Sequence, residues 1–349
     1  MGSEPGLSLD EDRRYARAIL PRVSRTFAVN IRILSGTLGE SVRVGYLLCR
    51  AADTLEDAWP GADLAEGFSR FLAALDGDRN AASALAAEAS TGSGPELDLV
   101  AHLPAVLRLH ASLPAEHRTA LTEGVRTLAS GMARYAGRAA RRGPAVPYLD
   151  DESELDDYCW VVAGCVGVML TRLHAAAYGL DDAARLARRL ELAPWVGRAL
   201  QLTNILLDWP TDVRRGRCYL PAAWLGEHRL APRDLVERDR PEVRALATKL
   251  ESKALAALAR VPDYLDLIPA RHVRYRLFCL WPAVWAVRSL RHARRDREFP
   301  WGPRRPKLPR QEIYGATLRS LLTAGHGPDL RGELRLVPAG SPSPSSAGR

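Results

Sequence analysis

Two short stretches carry pairs of carboxylates at helical spacing. In YLLCRAADTLEDA (46–58), Asp53 and Asp57 stand four residues apart with Glu56 beside them. Arg50 lies three residues before Asp53, and Tyr46 four before Arg50. On a helix, Tyr46, Arg50, Asp53 and Asp57 share one face. In QLTNILLDWPTDVRRGRCYLP (201–221), Gln201, Asn204, Asp208 and Asp212 form a second polar stripe among Leu202, Ile205, Leu206 and Leu207. Two carboxylates at this spacing can hold a hard divalent cation, and the cation can hold a polyanion. Without a cation, like charges on adjacent turns repel by a few tenths of a kcal/mol. A single acidic pair is ordinarily a solvated helix face. Two pairs, each with polar residues one or two turns upstream, are far more specific. Facing each other across a bundle core, they would line a Mg²⁺ site between helices. Arg25 in SRTF and Arg217 in RRGRCYLP are candidates to bind phosphate oxygens directly.

Positioning such groups takes long helices, and the 349-residue chain reads as helical almost throughout. Strand-type alternation is nearly absent, and apolar residues recur at helical period. Ser8 and Glu11 make a capping box ahead of the first helix, which Pro21 is expected to break. Further helices are expected over residues 23–34, 38–58, 63–76, 97–111, 115–141, 151–178 and 182–208. After the 214–221 loop come short helices near 221–236, then 241–260, 271–298 and 309–324. TGSGPE (91–96) reads as a loop. The expected organisation is one all-α domain over residues 1–335 and a Pro/Ser/Gly-rich disordered tail over 336–349.

The net charge of +8 is carried by arginine: only three of the 49 basic residues are lysines. That balance suits anionic small substrates or a membrane surface. The Arg-rich run at 288–307 has no nucleic-acid-reading motif beside it and reads as a solvated helix end, so no nucleic-acid partner is expected. The five cysteines, Cys49, Cys159, Cys165, Cys218 and Cys279, show no metal-ligand spacing and read as reduced core thiols of a cytoplasmic protein. No signal peptide is visible. The longest apolar stretch, CWVVAGCVGVML, falls short of the roughly 18 residues of a membrane-spanning helix. Any membrane contact is therefore expected to be peripheral.

The pairing of DTLED with QLTNILLDWPTD…GRCYLP resembles the squalene and phytoene synthases, the head-to-head prenyl transferases. SRTFA (24–28), YCWVVAGCVGVMLTRL (158–173), YLDLI (264–268), FCLWPAVWA (278–286) and PKLPRQEIY (306–314) agree in the same order. The resemblance covers residues 14–325. It implies an all-α, single-domain isoprenoid-synthase bundle with a central active-site cavity. It also implies an enzyme that joins two allylic diphosphates through a cyclopropylcarbinyl diphosphate. By this match Asp53, Asp57, Asp208 and Asp212 hold Mg²⁺–diphosphate clusters. Ser24, Arg25, Tyr46, Arg50, Gln201, Asn204 and Arg217 line the diphosphate sites, and Tyr158 handles a proton or cation. Phe27 and Tyr264 are further substrate-binding candidates. An allylic cation needs a dry, apolar surround, for which Phe27, Val161, Val162, Val166, Val168, Met169, Leu173 and Phe278 are candidates. For any one of these, plain core packing is the simpler role. Gly164 and Gly167 imply the close approach of a lipid chain or a neighbouring helix.

Within the family the C-terminal motifs look most like squalene synthases of the bacterial type. The expected reaction is condensation of two farnesyl diphosphates through presqualene diphosphate to squalene, with Mg²⁺ and NADPH and with prenyl diphosphates as the partners. The Arg288, Arg291, Arg294 and Arg295 cluster is a candidate for the cofactor's phosphates. A phytoene, dehydrosqualene or hydroxysqualene synthase, or one stopping at presqualene diphosphate, would share the same metal residues. The sequence departs from the family at Leu207, where many relatives carry arginine, at Ala283, where some carry glutamine, and at Pro210. Pro210 is expected to kink the helix and displace Asp212.

Overall fold

The structure, a computed structural model, describes residues 8–61, 63–143, 146–179, 182–322 and 327–335. Every regular element among them is helical. The expected 336–349 tail lies outside the described residues. By internal contacts the chain divides into two compact units, Met1–Gly143 with Asp156–Gly197, and Pro144–Leu155 with Arg198–Arg349.

The first unit is built on the Ala115–Arg142 helix, which packs against both Gly36–Asp57 and Cys165–Tyr178. Leu47, Leu48, Ala51, Leu121, Val125 and Leu173 form its buried seam. Around that core run Leu9–Val23, Arg25–Arg32, Leu64–Leu75, Arg79–Ala89, Pro95–Ala101 and Leu103–Ser112. The Ser8–Glu11 capping box forms as expected. Pro21 does not break its helix, which continues to Val23. The break falls at Ser24, whose extended backbone and side-chain oxygen cap the next helix.

Three further differences have plain causes. Arg79–Ala89 is helical although RNAASALAAEA shows no apolar stripe; Asp78 caps it, and alanine needs no periodicity to favour a helix. Pro95 opens a helix in place of the expected loop, because proline at the first helical position gives up no bonded N–H. A single helix over 97–111 is interrupted at His102.

Glu152–Tyr178 is helical over 27 residues, with a π-helical segment at Trp160–Gly164. Its most apolar 18-residue window has mean hydropathy 1.5, and 44% of that window is buried. By length and composition it qualifies as a possible membrane span, which corrects the expectation that no segment does. A count of uninterrupted apolar residues stops at Thr171 and Arg172, which an average tolerates. The close approach signalled by its glycines is to a neighbouring helix. A Cβ on Gly167 would lie 2.2 Å from the Ala193 carbonyl oxygen, and one on Gly197 would lie 2.0 Å from that of Ala163.

In the second unit, Val273–Arg295 packs against Pro241–Leu258, Val261–Asp266, Arg310–Leu322 and Gly327–Arg335. The Val261–Asp266 and Gly327–Arg335 helices were not anticipated, being short and lacking a repeated apolar period. All five cysteines are free thiols, and Cys159, Cys165, Cys218 and Cys279 are buried.

Candidate active site

In the first unit Tyr46, Arg50, Asp53 and Asp57 lie along the second half of one helix, with Ser24 and Phe27 beside Tyr46. Gly36–Asp57 buries Leu47, Leu48, Ala51, Ala52 and Leu55 and leaves Asp53 and Asp57 on its open side. Tyr46 is hydrogen-bonded to Ser24, and its ring lies 5.5 Å from that of Phe27. Burial pushes the Tyr46 hydroxyl above the usual tyrosine range, and the Ser24 bond works against that shift. Ser24 also caps the following helix by accepting from the Phe27 N–H at 3.3 Å. Arg25 begins that helix and is exposed.

Arg50 lies between two acids. Its Nη1 is 3.6 Å from Asp53 Oδ2, and its Nη2 donates to Glu96 Oε1 at 3.3 Å. Loss of solvation pushes the Asp53 carboxyl up to about 6; the Arg50 charge opposes the shift and Asp57 adds to it. An acid short of solvent beside a second acid is relieved by a cation. Glu96 went unrecognised in the sequence. It is 46 residues from Arg50, and only the fold brings the two together.

Tyr158 is 5% exposed and packs edge-to-face on Tyr135, ring centroids 5.2 Å apart. The Tyr135 hydroxyl donates to Asp157 Oδ2 at 2.6 Å, and Arg134 grips the same oxygen. The π-helical segment begins two residues after Tyr158. Such segments are frequent at functional sites, since the extra residue re-aims the side chains around it. Of the apolar candidates, Met169 and Leu173 are core, Val161 is buried against Gly131, and Val162, Val166 and Val168 are partly exposed. Phe27 is 37% exposed.

In the second unit the polar stripe of the Ala183–Asp212 helix is its open side. Gln201, Asn204, Asp208 and Asp212 are all solvent-accessible, while Leu202, Ile205, Leu206 and Leu207 are buried. The helix runs through Pro210 and ends at Asp212. The chain then makes a 3₁₀ turn over Val213–Arg215, and Gly216 takes φ +80°, a conformation that glycine adopts without strain. This turn returns the Arg217 N–H to the Asp212 carbonyl at 2.8 Å. Arg214 donates to the carbonyls of Pro210, Val236, Trp301 and Gly302 at 2.6 to 2.9 Å, and so binds the helix end to the 301–302 loop. Three residues on, Arg305 Nη1 reaches Asp208 Oδ1 at 2.9 Å. Burial raises the Asp208 carboxyl, while Arg305 and Arg215 pull it back.

Tyr264 is buried, its hydroxyl 3.2 Å from that of Tyr275, and Phe278 stacks on Tyr275. The 288–295 arginines are only in part a solvated helix end: Arg295 is exposed, while the others are paired. Arg288 and Arg291 pair with Glu333, and Arg294 donates to Glu251 at 2.5 Å.

Each aspartate pair offers two carboxylates, and among the described residues no group of three or more His, Cys, Asp or Glu side chains is placed to hold a metal. Mg²⁺ is commonly held by one or two carboxylates, with water and substrate phosphates completing its shell. The donor set therefore fits Mg²⁺ bound together with a diphosphate, and does not fit a closed structural metal site.

A squalene/phytoene synthase family model matches residues 20–312. Human squalene synthase is 26% identical over 290 residues, covering 81% of this chain and 64% of that protein. The squalene synthase of Schizosaccharomyces pombe is 28% identical over 292 residues, covering 81% and 60%. The chain thus spans less than two thirds of the length of these relatives. Among solved structures, TcSQS in complex with a ligand superposes with a TM-score of 0.73 at 24% identity, over 94% of this chain and 90% of that one. A dehydrosqualene synthase in complex with a ligand gives 0.61 at 20% identity, over 90% and 98%. These likenesses are to the all-α fold, and the match of the family model over most of the sequence places the chain in the squalene/phytoene synthase family.

Proposed function

We propose that this protein is a Mg²⁺-dependent farnesyltransferase that condenses two farnesyl diphosphates head to head through presqualene diphosphate and, with NADPH, yields squalene. The observation that carries the reading is the pair of Asp-x-x-x-Asp motifs. Each lies on the open side of a helix whose opposite side is buried, and each has an arginine within ion-pair distance of its first aspartate.

Asp53 with Asp57, and Asp208 with Asp212, are the carboxylates that would hold Mg²⁺. When bound, the metal neutralises the charge that builds on a departing diphosphate. The chain's own residues do the rest. Arg50 and Arg217 offer guanidinium donors to phosphate oxygens. Ser24 and Tyr46 orient each other beside Arg50, so the binding edge is fixed before substrate arrives. Partly exposed Val162, Val166 and Val168 offer apolar surface to a prenyl chain. Tyr158, buried and braced by Tyr135, can hold or pass a proton at its hydroxyl oxygen.

The decisive experiment incubates the purified protein with farnesyl diphosphate and Mg²⁺, with and without NADPH, and identifies products by mass spectrometry. Squalene with NADPH and presqualene diphosphate without it are expected. Full turnover in excess EDTA would overturn the metal assignment. One hydrocarbon regardless of NADPH would indicate a dehydrosqualene-type reaction, and a hydroxylated product a water-quenched one.

A further inference from the structure

The first three helices, Leu9–Val23, Arg25–Arg32 and Gly36–Asp57, pack on one another. Between the first and the third, Arg13 Nε donates to Glu40 Oε1 at 2.7 Å. That bond fixes which faces meet. On the next turn of each helix, on the same face, stand Arg17 and Arg43. Arg32 closes the second helix. The charges of Arg17 and Arg32 both act on the Arg43 guanidinium.

These three arginines lack the counter-ions that arginines elsewhere in the fold have found. Glu40 is the acid whose charge reaches Arg43, and its Oε1 is held by Arg13. Among the described residues no carboxylate lies within ion-pair distance of Arg17, Arg32 or Arg43. Arg17 and Arg32 are exposed, whereas Arg43 is half-buried and its Nε is buried with no hydrogen-bond partner among the described residues. Loss of solvation pulls the Arg43 guanidinium below the usual arginine range; Arg17 and Arg32 pull the same way, and Glu40 opposes them. A recessed cation beside two like charges is costly, and an anion seated among the three relieves that cost. The diphosphate of the aspartate site is not that anion. Asp53 lies ten residues beyond Arg43, about 15 Å along the helix axis, which is farther than one diphosphate extends.

We propose that Arg17, Arg32 and Arg43 form a metal-independent binding site for a phosphate-bearing anion with several free oxygens, such as inorganic pyrophosphate. Guanidinium groups present paired N–H donors that match phosphate oxygens, and three of them suit a polyanion. A free diphosphate and a lipid phosphate offer the same oxygens. The half-buried Arg43 favours the free anion: a small ion reaches a recessed guanidinium, whereas a bilayer surface meets exposed Arg17 and Arg32 first. None of the three belongs to the diphosphate sites of the proposed reaction, so the site stands whether or not that reaction does.

The test is isothermal titration calorimetry of the full-length protein in EDTA at low salt, with inorganic pyrophosphate as the probe. No turnover is read, and without divalent ions the aspartate pairs repel the anion. Pyrophosphate is expected to bind and to raise the melting temperature. Arg43→Gln and Arg32→Gln should each weaken binding about tenfold. Arg32 is exposed, so its variant keeps the fold. Without the anion, Arg43→Gln should melt at or above the wild-type temperature, because it removes a repelling charge; a structural arginine would melt lower. Arg50→Gln, on the aspartate-bearing stretch of the same helix, should leave this binding in place. Co-sedimentation with phosphatidylglycerol vesicles tests the lipid source and is expected to be the same for Arg43→Gln and wild type. No pyrophosphate binding in EDTA, affinity unchanged in both Arg43→Gln and Arg32→Gln, affinity lost in Arg50→Gln but kept in Arg43→Gln, a lower melting temperature of anion-free Arg43→Gln, or binding confined to vesicles would each overturn the proposal.

Discussion

Arg305 Nη1 and Asp208 Oδ1 form an ion pair at 2.9 Å, although 97 residues separate them in the chain. The arginine occupies the first carboxylate of the second aspartate pair, where the proposed function places a divalent cation. The loop that brings it there is fastened by Arg214 to the end of the same helix.

Removing Arg305 should therefore change metal binding more than stability. The two side chains are 41% and 27% exposed, and pairs of that kind contribute about 1 kcal/mol or less. Arg305→Gln is expected to leave the melting temperature nearly unchanged. Mn²⁺ affinity of the substrate-free protein, followed by electron paramagnetic resonance, should rise by roughly three- to tenfold. An unchanged or weaker affinity would mean that the arginine does not compete with the cation.

Asp53 gives a pH signature in the metal-free protein. Its carboxyl lies near 6 when folded against an ordinary 3.8. An acid whose pKa rises on folding costs stability where it is ionised. The cost is full above about 6 and fades as pH falls toward the unfolded value. The shift alone corresponds to about 3 kcal/mol, and solvent screening of a side chain 38% exposed reduces the expectation to about 1 kcal/mol. Asp53→Asn should stabilise the apo protein by that amount at pH 7.5 and by nothing near pH 4. A denaturant titration at the two pH values checks it, and a pH-independent difference would rule out this origin.

The same substitution should nearly abolish turnover. Asp53→Asn and Asp208→Asn are each expected to lower kcat on the order of 100-fold or more, as loss of several kcal/mol of charge stabilisation requires. Because the helix continues through Pro210, Asp212→Asn should lose a comparable factor. Steady-state rates with farnesyl diphosphate decide this. A near-native Asp212→Asn enzyme would show that the second carboxylate is dispensable.

What the sequence revealed followed the reach of its signals. Helical period and the two Asp-x-x-x-Asp spacings are local, and the structure returns both as helices with open acidic faces. The Ser8–Glu11 cap formed for the same reason. Pro21 misled: its helix runs on to Val23, as others run through Pro194 and Pro282 in mid-element, because tertiary packing of the flanking turns outweighs one lost hydrogen bond. The alanine-rich 79–89 helix carried no periodicity to detect. Long-range partners were invisible: Glu96 for Arg50, Arg305 for Asp208 and Glu333 for Arg288 lie 46, 97 and 45 residues away.

Gly167 is where the fold should be least forgiving. A methyl group there would meet the Ala193 carbonyl oxygen at 2.2 Å, which is backbone and cannot rotate aside. Gly167→Ala should destabilise by about 1–3 kcal/mol, the usual cost of overpacking, despite alanine's better helix propensity. Gly226→Ala meets nothing within 4 Å and is the control, expected to be neutral or slightly stabilising. Chemical denaturation of both variants tests the contrast, and equal stabilities would argue against so close a helix contact.

Tyr158 and Tyr135 pack edge-to-face, and variants of the two tell a reacting hydroxyl from a bracing one. Both rings are buried, and Tyr135 is tied through its hydroxyl to Asp157. Tyr158→Phe keeps the ring and its edge-to-face packing, so stability should change by no more than about 1 kcal/mol. If the Tyr158 hydroxyl holds or passes a proton, kcat should fall on the order of 100-fold with KM for farnesyl diphosphate little changed. Tyr135→Phe removes the hydroxyl bond to Asp157, and a loss of roughly tenfold is expected. If Tyr135 only braces Tyr158, the pH profile of kcat should stay where it was. The ordering of the two variants is the informative result. Wild-type turnover by Tyr158→Phe would remove that hydroxyl from the mechanism, and a larger loss in Tyr135→Phe would transfer the role to Tyr135.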